Sequence, residues 1–284
     1  MEVSRRQGKR LGLTSKSNIS PGLEKCCLRI CANTSYQQSE EDLRELMGIK
    51  VGHSTLHELV QQVEFPLAEA SSPSEVMSID GGKICLRGES KSQEWLDYKL
   101  VSLHGGVCEA FFQEPETLLR WSNTVPLSPI VTCLGDGHPG VWNLIKPFGA
   151  QQVSIKREVL DWYHLKENLY KVGGSLKRLE RAENFLWQGW VEKAMQEFEN
   201  LKSKKAVNFR IYLERHRHRI PCYSQYQKLG IVIGSGDVES KIKQVGTRVQ
   251  RPGARWARAN VNRILRLRCA YLNRSPLLSI CAYV

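Results

Sequence analysis

The stretch Ile231–Trp256, IVIGSGDVESKIKQVGTRVQRPGARW, decides how the chain is read. Val238, Ile242, Val245 and Val249 recur at i, i+4, i+7 and i+11, the spacing of one apolar helix face. Glu239 then stands near the first turn, and Arg251-Pro252-Gly253 breaks the helix. From Lys241 to Arg268 there are nine Lys or Arg residues and no Asp or Glu. A carboxylate at the head of so basic a stretch suggests metal chemistry held against a polyanion. On their own, Asp237 and Glu239 read first as first-turn acids favoured by the helix dipole.

Two further acids lie upstream in strand-like surroundings. Asp80 is in VMSIDGGKICLRG (76–88), a mid-strand place that is costly for an ionised group unless something neutralises it. Asp136 is in IVTCLGDGHPGVW (130–142), directly after an apolar run and between Gly135 and Gly137, where backbone can approach a substrate. Phosphodiester chemistry is served by two divalent ions that stabilise the entering and leaving oxygens, and Mg²⁺ prefers carboxylate oxygens. Asp-Gly is also a strong turn signal, so Asp80-Gly81-Gly82 and Asp136-Gly137, each taken alone, read first as turns. Glu89, Asp97 and Asp161 compete for the same role, the last two beside aromatic residues in apolar runs. Spacing leaves the choice open.

Around these acids the texture changes along the chain. Residues 1–32 are basic, and the segment up to about Leu23 is expected to be mobile. Residues 33–66 predict two short amphipathic helices joined through Gly48, a candidate helix-turn-helix. Ser39 with Asp42, and Thr55 with Glu58, are spaced as capping boxes. His53, Ser54, Thr55 and His57 would then stand at the front of the second helix, where base edges are contacted. Residues 67–75 read as a linker. Over 76–165, VMSIDGG, KICLRGE and EWLDYKLVSLHGG are short strand candidates, followed by alternating strand and helix, which points to an α/β layer domain. Residues 166–226 are helical in pattern, with Trp187, Trp190, Val191, Ala194 and Phe198 at core spacing. Residues 227–272 resume with the Glu239 helix and a last helix, leaving 273–284 as a tail.

The 284 residues carry 41 Lys or Arg against 29 Asp or Glu, a net charge of +12 with a pI near 9.3. That excess favours nucleic acid or another anionic surface as partner. No apolar run approaches the roughly 18–20 residues of a membrane span, and no apolar stretch follows the basic N-terminus, so a soluble intracellular chain is expected. Of the nine cysteines, Cys26, Cys27 and Cys31 cluster without a second pair at zinc spacing, and reduced thiols are expected.

The segments SIDGG, GDGHPGVWNLI, LDWYHLKENLYKVGGSL, NFRIYLERHRHRIPCY, IGSGDVESKIKQ and RWARANVNRILRLRCAYLN together resemble bacterial insertion-sequence transposases of the ISKra type. The likeness runs from about Cys26 to Asn273, and the segment from Ser35 to Val60 resembles their DNA-binding region. The resemblance implies an RNase H-like catalytic core, a mixed sheet flanked by helices, with a helical insertion after the second Asp. It implies Asp80, Asp136 and Glu239 as a DDE triad holding two Mg²⁺ or Mn²⁺ ions. Asp161, Trp162 and His164 belong to a motif of the same proteins, for which a structural role is expected. The implied activity is metal-dependent cleavage at element ends and strand transfer into target DNA. Implied partners are terminal inverted repeats, target duplex and a second copy of the chain or a higher assembly, in the bacterial cytoplasm at the nucleoid. Lys241, Lys243, Arg248, Arg251, Arg255 and Arg258 are expected to contact phosphates, and Trp256 reads either as stacking on an exposed base or as packing within its helix. The alternatives are a non-catalytic, transposase-derived DNA-binding protein and an RNase H-like nuclease or resolvase.

Overall fold

In the computed structural model, which describes residues 19–88 and 93–279, three helices precede the sheet. Helix α1 spans Pro21–Cys31, α2 Tyr36–Met47 and α3 His53–Gln62. The N-terminal segment is therefore helical from Pro21, earlier than its composition suggests. Ser20 caps α1 by accepting from Leu23 N at 3.3 Å, Pro21 suits the first helical position, and Cys27, Leu28 and Cys31 bury an apolar stripe. Neither expected capping box forms. Ser35 caps α2 through Gln38 N (3.1 Å), which leaves Ser39 buried inside the helix. Helix α3 begins two residues before Thr55, and the Glu40 carboxylate of α2 accepts from His53 N at 2.7 Å. Gly48 ends α2 with φ 66°, as its place in the pattern requires.

The sheet has five strands: β1 Ser74–Arg87, β2 Gln93–Leu103, β3 Cys108–Phe111, β4 Leu127–Gly135 and β5 Ile155–Leu160. Helix α4 (Pro115–Ser122) precedes β4, and α5 (Pro139–Ile145) follows it. The spatial order is β3-β2-β1-β4-β5, with β1 to β3 antiparallel and β4 and β5 parallel to β1. The two strand candidates around Asp80-Gly81-Gly82 are one continuous strand, in which Asp80 pairs with Leu100 and Gly82 with Tyr98. Neither glycine takes positive φ, so there is no hairpin turn. A Cβ on Gly82 would fall 2.2 Å from Cζ of the fully buried Tyr98 ring, which is why glycine stands mid-strand here.

After β5 come α6 (Trp162–Val172), α7 (Leu176–Trp187), α8 (Val191–Gln196), α9 (Lys204–His216) and α10 (Tyr223–Lys228), then α11 (Gly236–Val249) and α12 (Val261–Leu272). The expected helical stretch is present and begins at Trp162. It is interrupted where Gly189, at φ 74°, separates α7 from α8. Trp190 is consequently 48% exposed, with Lys193 Nζ 4.2 Å from its ring centroid, and does not join the core. Trp187 does, against Trp162 at 4.8 Å.

Hydrophobic cores lie on both faces of the sheet. One gathers Met77, Ile79, Val101 and Val159 with Trp142, Leu165, Leu186 and Phe209. The other gathers Ile84, Leu86, Tyr98 and Leu100 with α1–α3, α11 and α12 through Leu28, Leu43, Val60, Val245 and Ile264. The two-residue period of β1 puts Asp80 on the same face as Ile84 and Leu86, the face that α11 covers.

Candidate functional site

Three elements bring Asp80, Asp136 and Glu239 to one place. Ile79 on β1 is in register with Gly135, the last residue of β4, so the two aspartates follow neighbouring positions on adjacent parallel strands. Asp80 Oδ1 accepts from Gly81 N at 2.6 Å. Asp136 Oδ1 accepts from His138 N at 2.9 Å, and its carbonyl accepts from Trp142 Nε1 at 2.7 Å, which fixes the turn into α5. Glu239 lies in the first turn of α11, its Oε1 3.2 Å from His164 Nε2 without an aligned hydrogen bond. All three acids are half-buried. Burial pushes the Asp80 carboxyl up, and the negative charges of Asp136 and Glu239 push the same way, with His164 opposing them.

The close approaches here depend on small residues. A Cβ on Gly135 would stand 2.8 Å from Val141 Cγ1, and one on Gly137 only 2.1 Å from Cε2 of Tyr212. Gly135 and Gly137, on either side of Asp136, therefore serve packing.

Asp161 is fully buried and caps α6, accepting from His164 N at 2.7 Å through Oδ1. Its Oδ2 accepts from Ser235 N, the residue that precedes α11. One carboxylate thus ties together the starts of the helices carrying His164 and Glu239, helped by Trp162 N donating to Ile233 O at 3.0 Å. The Asp-x-x-His spacing of a helix cap was visible in the sequence; the reach to Ser235 was not. Asp97 is exposed on β2, paired across the sheet with Lys83, and takes no part. Glu89 lies outside the described residues.

Among the described residues no three His, Cys, Asp or Glu side chains stand, as placed, at metal-cage distance. The donor chemistry nonetheless fits a hard divalent cation. Asp136 and Glu239 add negative charge beside Asp80, and among the described residues no Lys or Arg forms an ion pair with the three and one oxygen of each of Asp80 and Asp136 has no hydrogen-bond partner.

The expected DNA contacts divide. Lys243 and Arg255 are exposed, and Lys241 and Arg251 are half-buried. Arg258 is exposed but engages Gln113 and stands 3.7 Å from Glu94. Arg248 is not available to phosphate. It is 2% exposed, donates through Nε to Cys31 O at 2.7 Å, and lies over the rings of Tyr36 and Trp256. Trp256 is likewise withdrawn from any base: its Nε1 donates to Val249 O at 2.9 Å, and its backbone bridges to β1 beside Leu86. The part of β1 beyond β4 has a free edge there, and the segment after α11 covers it. At the front of α3, Ser54 and Thr55 are exposed, His53 bonds Glu40 Oε2 through Nδ1 at 2.9 Å, and His57 packs edge-on against Tyr36 near Asn260.

Cys26, Cys27 and Cys31 hold no disulfide. Burial pushes the Cys27 thiol up to about 12 and the Cys31 thiol up to about 11, conditions that disfavour the thiolates zinc needs. No helix among the described residues is long and apolar enough to cross a membrane. No protein-family model matches the chain, and no curated protein does.

Proposed function

We propose that the chain is a DNA transposase built on an RNase H-like core, which cuts DNA at element ends and joins the freed strand to target DNA. The observation that carries this reading is the meeting of Asp80, Asp136 and Glu239. They come from a central strand, the end of its parallel neighbour and the first turn of a covering helix, and His164 stands beside Glu239 at 3.2 Å. The strand order β3-β2-β1-β4-β5 is compatible with that core, and the helices between Asp136 and Glu239 with its insertion.

In this reading Asp80, Asp136 and Glu239 hold Mg²⁺ or Mn²⁺, which when bound supplies charge stabilisation to the oxygens entering and leaving phosphorus. The chain's own residues do the positioning. Gly135 and Gly137 let α5 and α9 close against the strand end, while Asp161 fixes the backbone that sets Glu239 and His164. Lys243 and Arg255 offer exposed positive charge downstream of Glu239, suited to the phosphate backbone.

The test uses labelled duplex carrying the inverted repeats that flank the coding region. The wild-type chain should nick it in Mg²⁺ and join the 3′ end to a target duplex, whereas Asp136→Asn should do neither and still bind. Cleavage without joining would point to a nuclease; cutting by Asp136→Asn would refute the assignment.

A further inference from the structure

Beside the acidic cluster, α6 and α9 border a cleft of about 760 Å³ whose lining includes Asn168, Tyr170, Lys171, Lys205, Asn208 and Tyr212. Tyr212 stands between the cleft and the cluster, its ring against Gly137, the residue after Asp136. Burial first, and then the charges of Asp136 and Asp161, push the Tyr212 phenol up to about 12, so the inner wall remains a neutral aromatic at physiological pH. Tyr170 is 36% exposed and held in place: its hydroxyl donates to Glu183 Oε2 at 2.6 Å, and Lys166 Nζ lies 5.8 Å from its ring centroid. Lys171 and Lys205 are exposed at the rim, as is Asn208.

Aromatic faces, amides and ammonium groups in one cleft match an unpaired nucleic-acid strand. A base stacks on the exposed Tyr170 ring, amides meet base edges and ammonium groups meet phosphates. A duplex keeps its base faces covered and cannot use the ring in this way. We infer that the α6–α9 cleft binds an unpaired stretch of DNA next to the phosphate held at the acidic cluster. This inference rests on the transposase reading for its choice of DNA, and its test does not depend on cutting.

A single-stranded DNA oligonucleotide carrying 2-aminopurine is titrated with the full chain in the absence of divalent metal. The wild-type chain should bind and quench the fluorophore by stacking. Tyr170→Ala and Lys205→Glu, both at exposed positions, should each weaken binding about tenfold, and Asp97→Asn, on an exposed strand position away from the cleft, should bind undiminished. Equal binding by wild type, Tyr170→Ala and Lys205→Glu would overturn the inference, as would binding of duplex alone. Cleft-dependent single-strand binding by a chain that never cuts would sustain the cleft and sink the transposase reading.

Discussion

Asp161 accepts from His164 N and from Ser235 N, so its carboxylate caps α6 and sets the entry to α11. Asp161→Ala leaves the buried Ser235 N–H and the half-buried His164 N–H without this partner. It should cost about 2–4 kcal/mol, measured by urea unfolding at constant m; a loss below about 1 kcal/mol would deny the clamp. Gly82→Ala should cost about 1–3 kcal/mol by overlap with the Tyr98 ring, which has little room to move. The sequence around Asp80 allowed a turn or a strand because Asp-Gly-Gly suits both. What decides is Tyr98, sixteen residues on and across the sheet, a contact no local pattern contains.

Helix α11 divides its charges between two environments. Its apolar period was legible from Val238, Val245 and Val249, all fully buried. The direction of its arginines was less so, although Arg248 lies between Val245 and Val249 on the inner side and could have been flagged by that same period. Arg248→Ala should therefore lower stability by about 1–3 kcal/mol, through the lost bond to Cys31 O, while leaving the salt dependence of DNA affinity unchanged. Lys243→Ala and Arg255→Ala should behave in the opposite way, each lowering the slope of log K against log salt by about 0.9 with little effect on unfolding. Equal slopes for all three variants would remove the exposed basic residues from the interface.

At the scale of the molecule, the sheet separates two cores and β3 links one of them to the segment after α3. Glu109 on β3 is 2% exposed and accepts from Ala68 N at 2.9 Å. Burial pushes its carboxyl up from 4.5 to about 7, against the pull of its backbone hydrogen bonds and of Arg266. A raised folded-state value means that its contribution to stability is full below about 4.5 and is lost as pH rises through about 7. Relative to wild type, Glu109→Gln should therefore gain in Tm as pH goes from 5 to 8; a constant difference would contradict this. The α/β class, the helical stretch after β5 and the Glu239 helix were legible in periodicity. The strand order was not, because the parallel β1–β4 and β4–β5 pairings join segments that share no local signal. The grouping of the acids shared that difficulty: it depends on the register of Ile79 with Gly135 and on how α11 crosses β1.

Mg²⁺-dependent cleavage of inverted-repeat duplex by four single variants, compared with wild type, separates the three acids from a neighbouring carboxylate. Asp80→Asn, Asp136→Asn and Glu239→Gln should each reduce cutting to background while binding is retained, and Asp97→Asn, on an exposed strand position, should cut like wild type. Retained cutting by any of the first three would contradict the assignment, and so would its loss in Asp97→Asn alone.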